Sequence, residues 1–153
     1  FSLRYSNMRI ADTLASLNPQ YLGSGRNNIS YLEAAYKIRH IHADNWQYPL
    51  RGYSMTAELA KSGFGKWNDI NMFRVNVNAG RYISFGKKWY SDHSMVASVA
   101  FSNNLPFIKQ QALGYNDSKI LRGLDYFVLN GQGYLLFKNN IKKNLITALN
   151  LIR

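Results

Sequence analysis

Ser30-Tyr31-Leu32-Glu33-Ala34-Ala35-Tyr36-Lys37-Ile38-Arg39-His40-Ile41 is the stretch whose reading decides the fold. Taken in steps of two, Leu32, Ala34, Tyr36 and Ile38 form one set and Glu33, Ala35, Lys37 and Arg39 the other. An extended chain sends successive side chains to opposite faces, so this stretch is a strand with one apolar and one charged face.

The same rule extends outward. Tyr53, Met55, Ala57 and Leu59 alternate with Ser54, Thr56 and Glu58; Phe73, Val75, Val77 and Ala79 with Arg74, Asn76 and Asn78; Met95, Ala97, Val99 and Phe101 with Val96, Ser98, Ala100 and Ser102. Helical periodicity is nowhere sustained. Ser2 to Ile10, Gly133 to Lys142 and Leu145 to Arg153 alternate less cleanly and are drawn as further strands, about seven in all, with boundaries uncertain by two to four residues. Phe1 and Arg153 both fall inside strand-like runs. The expectation is therefore a piece of a larger protein, with residues 1–153 forming part of one barrel domain.

Composition supports an all-β reading. Of the 153 residues, 14% are aromatic, with 11 Tyr and 8 Phe, and only 3 are Pro; such a balance suits strands. Mean hydropathy is −0.30. No run reaches the roughly 18 apolar residues of a membrane-spanning helix, but a barrel that alternates lipid-facing and lumen-facing residues keeps its average hydropathy low. The absence of Cys leaves the compartment open.

Net charge is +11, from 19 Lys and Arg against 8 Asp and Glu. Such a balance first suggests a nucleic-acid partner. The basic residues are scattered singly along alternating segments, without zinc-finger or RNP spacing, so no nucleic-acid interface is expected. Barrel interiors and rims accept such charge.

The strands approach the roughly 9 to 11 residues that cross a bilayer when tilted. Short connections near Tyr48 to Gly52 and Phe85 to Ser94 alternate with longer ones at Ala11 to Ile29 and Asn103 to Asn130, which is an outer-membrane layout. Trp46, Tyr48, Trp67, Trp89 and Tyr90 fall near strand ends, as an interfacial aromatic belt requires. Aromatics also stand at strand ends in soluble β-sandwiches, the competing fold.

A long connection in a compact domain is usually functional or disordered. Within the one after Asn103 stands Ile120-Leu121-Arg122-Gly123-Leu124-Asp125-Tyr126. Here the chain resembles the BamA-type outer-membrane assembly and translocation barrels, the bacterial surface antigen family. Their mark is a [V/I/L]-R-G-[F/Y] motif in a long loop that folds back into the lumen. The order of features resembles the family across about Ser30 to Leu145. Tyr48-Pro49-Leu50-Arg51-Gly52 supplies an aromatic-Pro-x-x-Gly periplasmic turn, Leu121, Arg122 and Gly123 the loop motif, and Asn139-Asn140-Ile141-Lys142 the strand end that follows. Leu50-Arg51-Gly52-Tyr53 fits the tetrapeptide but occupies the short-turn position.

The sequence departs from the family at Leu124, where an aromatic is usual and Tyr126 is the substitute, and at Asn140, where an acid is usual. A guanidinium held away from water needs a charged or multiply bonded partner. Glu33 and Glu58 are the candidates to meet Arg122, with Asn140 as a polar contact.

The resemblance implies a transmembrane antiparallel β-barrel of about sixteen strands in the bacterial outer membrane, of which this chain holds roughly the seventh to the thirteenth. It implies non-enzymatic insertion or translocation of outer-membrane or secreted polypeptides, contact with outer-membrane lipid, periplasmic or lipoprotein accessory subunits, and no cofactor. Two other readings stay open. In a passive pore, Lys37, Arg39, Arg74 and Arg81, read as lumenal, would select anions. In the third, the barrel anchors a fused envelope enzyme. This segment itself offers only His40, His42 and His93 as imidazole bases and no Gly-x-Ser-x-Gly elbow, so no catalytic residue is assigned. His40 and His42 share a strand face without a third metal ligand in view and read as an interfacial pair.

Overall fold

In the computed structural model, residues 1–86, 88–114 and 128–144 are described. Among the described residues the chain is all-β apart from a short helix and a single 3-10 turn. Strands β1 (Ser2–Arg9), β2 (Asn28–Ala43), β3 (Gly52–Phe64), β4 (Trp67–Phe85), β5 (Trp89–Phe101) and β8 (Gly133–Lys143) form an antiparallel sheet in that order. Helix α1 (Asp12–Leu17) lies in the first long connection. Strands β6 (Gln111–Gly114) and β7 (Val128–Gly131) pair with each other within the second.

Alternation placed the six strands of this sheet but understated the length of the middle ones. β2 has 16 residues and β4 has 19. Both run past the clean apolar period into polar segments, where backbone pairing rather than side-chain pattern maintains the extended form. The segment read as one loop from Asn103 to Asn130 carries a strand pair at its ends. The strand expected at Leu145 to Arg153 lies outside the described residues.

The closed barrel is not seen: among the described residues β1 and β8 pair with β2 and β5 and not with each other. The structure establishes an open antiparallel sheet.

Register fixes the two faces. Lys37 stands opposite Glu58, Glu58 opposite Asn76, Asn76 opposite Ser98 and Ser98 opposite Tyr134. These side chains share a polar face. One residue along, Ile38, Ala57, Val77, Ala97 and Leu135 line up on the other. Three neighbouring same-face rows, from Tyr36 to His40 on β2, cover ~14 Å along the strand between their centres. Large apolar side chains on this face stay exposed, Ile38 at 54%, Met55 at 50% and Leu135 at 61%.

The buried core lies elsewhere, at the long-connection end of the sheet. Ile29, Tyr31, Ile70, Met72 and Ala100 from the strands meet Leu22 and Leu105 from the two long connections. Ile108 N–H donates to the Tyr21 carbonyl at 3.2 Å and Phe107 N–H to that of Gln20 at 3.0 Å, tying those connections together. The polar face at this end is thus covered. A sandwich would instead bury the apolar face against a second sheet, and no second layer covers it among the described residues.

Gly63 marks a bulge where β3 meets β4. Its φ is +96°, and a Cβ there would collide with the Ile70 carbonyl, so only glycine fits.

Candidate functional site

The polar face is organised in tiers. At the long-connection end, the chain after β5 turns back over the sheet and is held there. Lys109 Nζ lies 3.6 Å from Glu33 Oε2 and 4.3 Å from the centre of the Tyr31 ring. Ser62 Oγ donates to the same Glu33 oxygen at 2.8 Å. The Arg74 guanidinium donates to the Lys109 carbonyl. It also donates at 3.1 and 3.2 Å to the Gln111 side-chain oxygen, the amide being oriented to accept. Glu33, Arg74, Lys109 and Gln111 therefore clasp the returning segment to β2 and β4. Lys109 and Glu33 are only 18% and 21% exposed, so solvent screens this pair less than a surface pair.

In the middle of the face, Glu58 accepts from Asn76 Nδ2 at 3.2 Å and lies 3.8 Å from Lys37 Nζ. Asn76 in turn accepts from Ser98 Oγ at 2.6 Å. An open pocket of about 260 Å3 lies over these residues, lined also by Arg39, Thr56 and Tyr134.

At the opposite end, the connection between β2 and β3 folds over the polar face. Asp44 Oδ1 accepts from the backbone N–H groups of Leu50 at 2.9 Å and Arg51 at 3.1 Å, and Asn45 Oδ1 from those of Gln47 and Tyr48. The bonds from Leu50 and Arg51 hold the Asp44 carboxyl below its ordinary pKa. Gly52 closes this turn at φ +114°; a Cβ would strike the His42 carbonyl. So braced, the turn brings the Tyr48 ring within 4.4 Å of Lys142 Nζ on β8, which also lies 3.3 Å from Asp92 on β5. Pro49 and Trp46 line a cleft of about 300 Å3 with Arg39, Asn78 and Tyr82.

These placements sort the expected site residues. Tyr48 and Pro49 lie in the connection between β2 and β3 and Gly52 opens β3, but Trp46 and Tyr48 lie over the polar face instead of joining an outer aromatic belt, and Tyr90 shares the polar face with Asp92. The Asx bonds of Asp44 and Asn45 draw the turn inward. Trp67 and Trp89 do stand on the apolar face, Trp67 edge-on to Tyr5 at 6.0 Å and Trp89 under Lys143 at 5.0 Å.

Leu121, Arg122, Gly123 and Tyr126 lie outside the described residues. Glu33 and Glu58 do line the polar face, with Lys109 and Lys37 as their cations. Asn140 stands opposite Asp92 in register, so a carboxylate is present at this level on the neighbouring strand. Lys109, Gln111 and Asp92 are not singled out by the sequence, and Lys142 enters there only within the strand-end motif. The tendency of Asp and Asn to bond backbone N–H groups just ahead is the signal that would have found Asp44 and Asn45; no local pattern announces Lys109.

Arg81 is a correction. Read as lumenal with Lys37, Arg39 and Arg74, it stands on the apolar face, because it is an odd number of residues from Arg74. His42, Tyr53, Arg81, His93 and Asn139 form one register row across β2, β3, β4, β5 and β8. His40, one row inward, shares a 3.0 Å hydrogen bond with the Tyr53 hydroxyl, and His93 one of 2.7 Å with Asn139. Among the described residues no group of three or more His, Cys, Asp or Glu is placed to hold a metal.

Comparison of the chain with family models, curated proteins and solved structures gave no match.

Proposed function

We propose that this sheet is part of a larger transmembrane β-barrel of the bacterial outer membrane, BamA-like in kind, that inserts or translocates other envelope polypeptides without catalysis. The observation that carries the reading is the asymmetry of the sheet. An uncovered apolar face spans its strands, while the polar face is crossed at one end by a clasped segment from the long connection. An apolar face of this extent is unfavourable in water and suits a lipid environment. The open edges of β1 and β8 suit continuation into further strands.

In this reading the loop carrying Leu121, Arg122, Gly123 and Tyr126 continues from the clasp at Lys109 and Gln111 and braces the barrel wall. A strand seam elsewhere then opens for the client. Unfolded outer-membrane or secreted polypeptides are the clients, and periplasmic or lipoprotein subunits deliver them. The resemblance in motif order supports this assignment.

Reconstituted protein tests it through the rate at which an unfolded outer-membrane client acquires protease resistance in vesicles. Arg122→Ala is expected to slow that rate, whereas Arg51→Ala, in the short turn, leaves it near wild type. The opposite ranking, or a client rate equal to empty vesicles, would overturn the assignment. Steady ion conductance through wild-type protein with no client effect would favour a passive pore.

A further inference from the structure

All three histidines of the chain and one arginine collect on the apolar face at its short-turn end. Over the three rows before them the face presents Tyr36, Leu59, Val75 and Val99, then Ile38, Ala57, Val77, Ala97 and Leu135, then His40, Met55, Ala79, Met95 and Phe137. The next row is His42, Tyr53, Arg81, His93 and Asn139, polar in every strand from β2 to β8. Its members are exposed, and Tyr53, the least polar, is 37% exposed. The histidines have neighbours in Tyr53 and Asn139, but among the described residues no hydrogen bond or ion pair holds Arg81.

Around this row the charge is one-sided. Among the described residues the carboxylates of Glu33, Glu58 and Asp92 lie on the polar face, and those of Asp12 and Asp44 lie in connections. Asp69, near the start of β4, is held by Arg26 at 3.0 Å and by Ser30. Among the described residues no acidic side chain therefore stands near Arg81 to neutralise it. A guanidinium with free N–H donors, beside imidazole donors and a phenol and bordering the three apolar rows, complements a phosphate in geometry and charge.

We propose that this row is a headgroup-binding ridge that takes the phosphates of the membrane leaflet at the short-turn end, with Arg81 as its principal anion contact. The proposal rests on the membrane reading above and names the lipid chemistry that one edge of the apolar face selects. The apolar rows meet acyl chains and the ridge meets the layer where those chains end. Beyond it on the same face, β4, β5 and β8 carry Ile83, Ser91 and Ile141 and then Phe85, Trp89 and Lys143, whose aromatic and cationic groups suit the headgroup zone.

The test uses the full chain and vesicles of phosphatidylcholine alone or mixed with phosphatidylglycerol, reading the co-floating, protease-protected fraction as lipid is titrated. Anionic lipid is expected to strengthen wild-type partitioning. Arg81→Gln is expected to lose about fivefold of that gain, the effect of one basic residue near an anionic surface. Arg39→Gln, which removes the same charge from the opposite face, retains the gain. An equal gain in wild type and Arg81→Gln overturns the ridge. Wild type that inserts into both vesicles without any gain also overturns it while leaving the membrane reading standing. Failure of wild type to associate with either vesicle overturns both.

Discussion

Lys109, carried on the long connection after β5, lies 3.6 Å from Glu33 on β2, with the Tyr31 ring on its flank. The pair is partly shielded and shares Glu33 with the Ser62 hydroxyl, so each partner has a role that the other alone does not fill. A double-mutant cycle on Lys109→Met and Glu33→Gln is expected to give a coupling of about 1–3 kcal/mol. Each single variant should speed proteolysis of the long connection. Additive effects on unfolding would mean that the pair does not hold it.

Arg74 binds that connection through main chain and side chain at once, the Lys109 carbonyl and the Gln111 amide. Arg74→Lys keeps the charge but not the planar fork, and a single ammonium does not reproduce both contacts. Hydrogen exchange at the β6–β7 amides is expected to quicken in Arg74→Lys nearly as much as in Arg74→Met. Wild-type exchange in the lysine variant would show that charge alone suffices.

Gly52→Ala tests the turn. The left-handed φ and the nearby His42 carbonyl both resist a side chain. Strain of about 1–3 kcal/mol is expected, seen as a lower unfolding midpoint. Gly65→Ala, with open space around the Cβ position but also a positive φ, should cost less because it carries strain without collision.

Acid loosens the same turn. Hydrogen bonds from Leu50 and Arg51 lower the Asp44 pKa from its ordinary value of 3.8. A carboxylate with a lowered folded pKa stabilises fully above the unfolded value, and the contribution disappears as pH falls through the folded one. Amide protection at Leu50 and Arg51 is therefore expected to decline as pH drops below 3.8, and Asp44→Asn should remove that dependence. Protection independent of pH in wild type would refute the assignment.

The two faces differ in what they present to lipid. Ile38→Lys places a charge amid the apolar rows and, in a bilayer, should cost about 2–4 kcal/mol, lowering the inserted fraction. Asn78→Lys, on the polar face, should insert as wild type does. Equal insertion of the two variants would remove the lipid-facing role of the apolar rows.

Much of this sheet was legible in the chain. Alternation in Ser30 to Ile41 set Ile38 against Lys37, and the register kept them on opposite faces. The turn at Tyr48 to Gly52 was equally local, resting on Pro, Gly and polar residues; the two-residue connection from Phe64 to Trp67, at the same end as the long connections, departs from the expected alternation of short and long. Arg81 departs from the lumenal reading although its odd spacing from Arg74 along one strand is enough to set it on the apolar side. Trp46 and Tyr48 were placed by their distance along the chain from a strand end, which says nothing of the direction in which a turn folds.

The sequence by itself determined the strands, their two faces and the meander, because backbone alternation is a property of each residue and its neighbours. Only the tertiary structure decided that Lys109 meets Glu33, that Tyr48 meets Lys142, and that His42, Tyr53, Arg81, His93 and Asn139 stand in one row. Those pairings depend on how connections close and how strands slide against one another. A shift of two residues in register leaves every face unchanged yet gives each side chain a different partner.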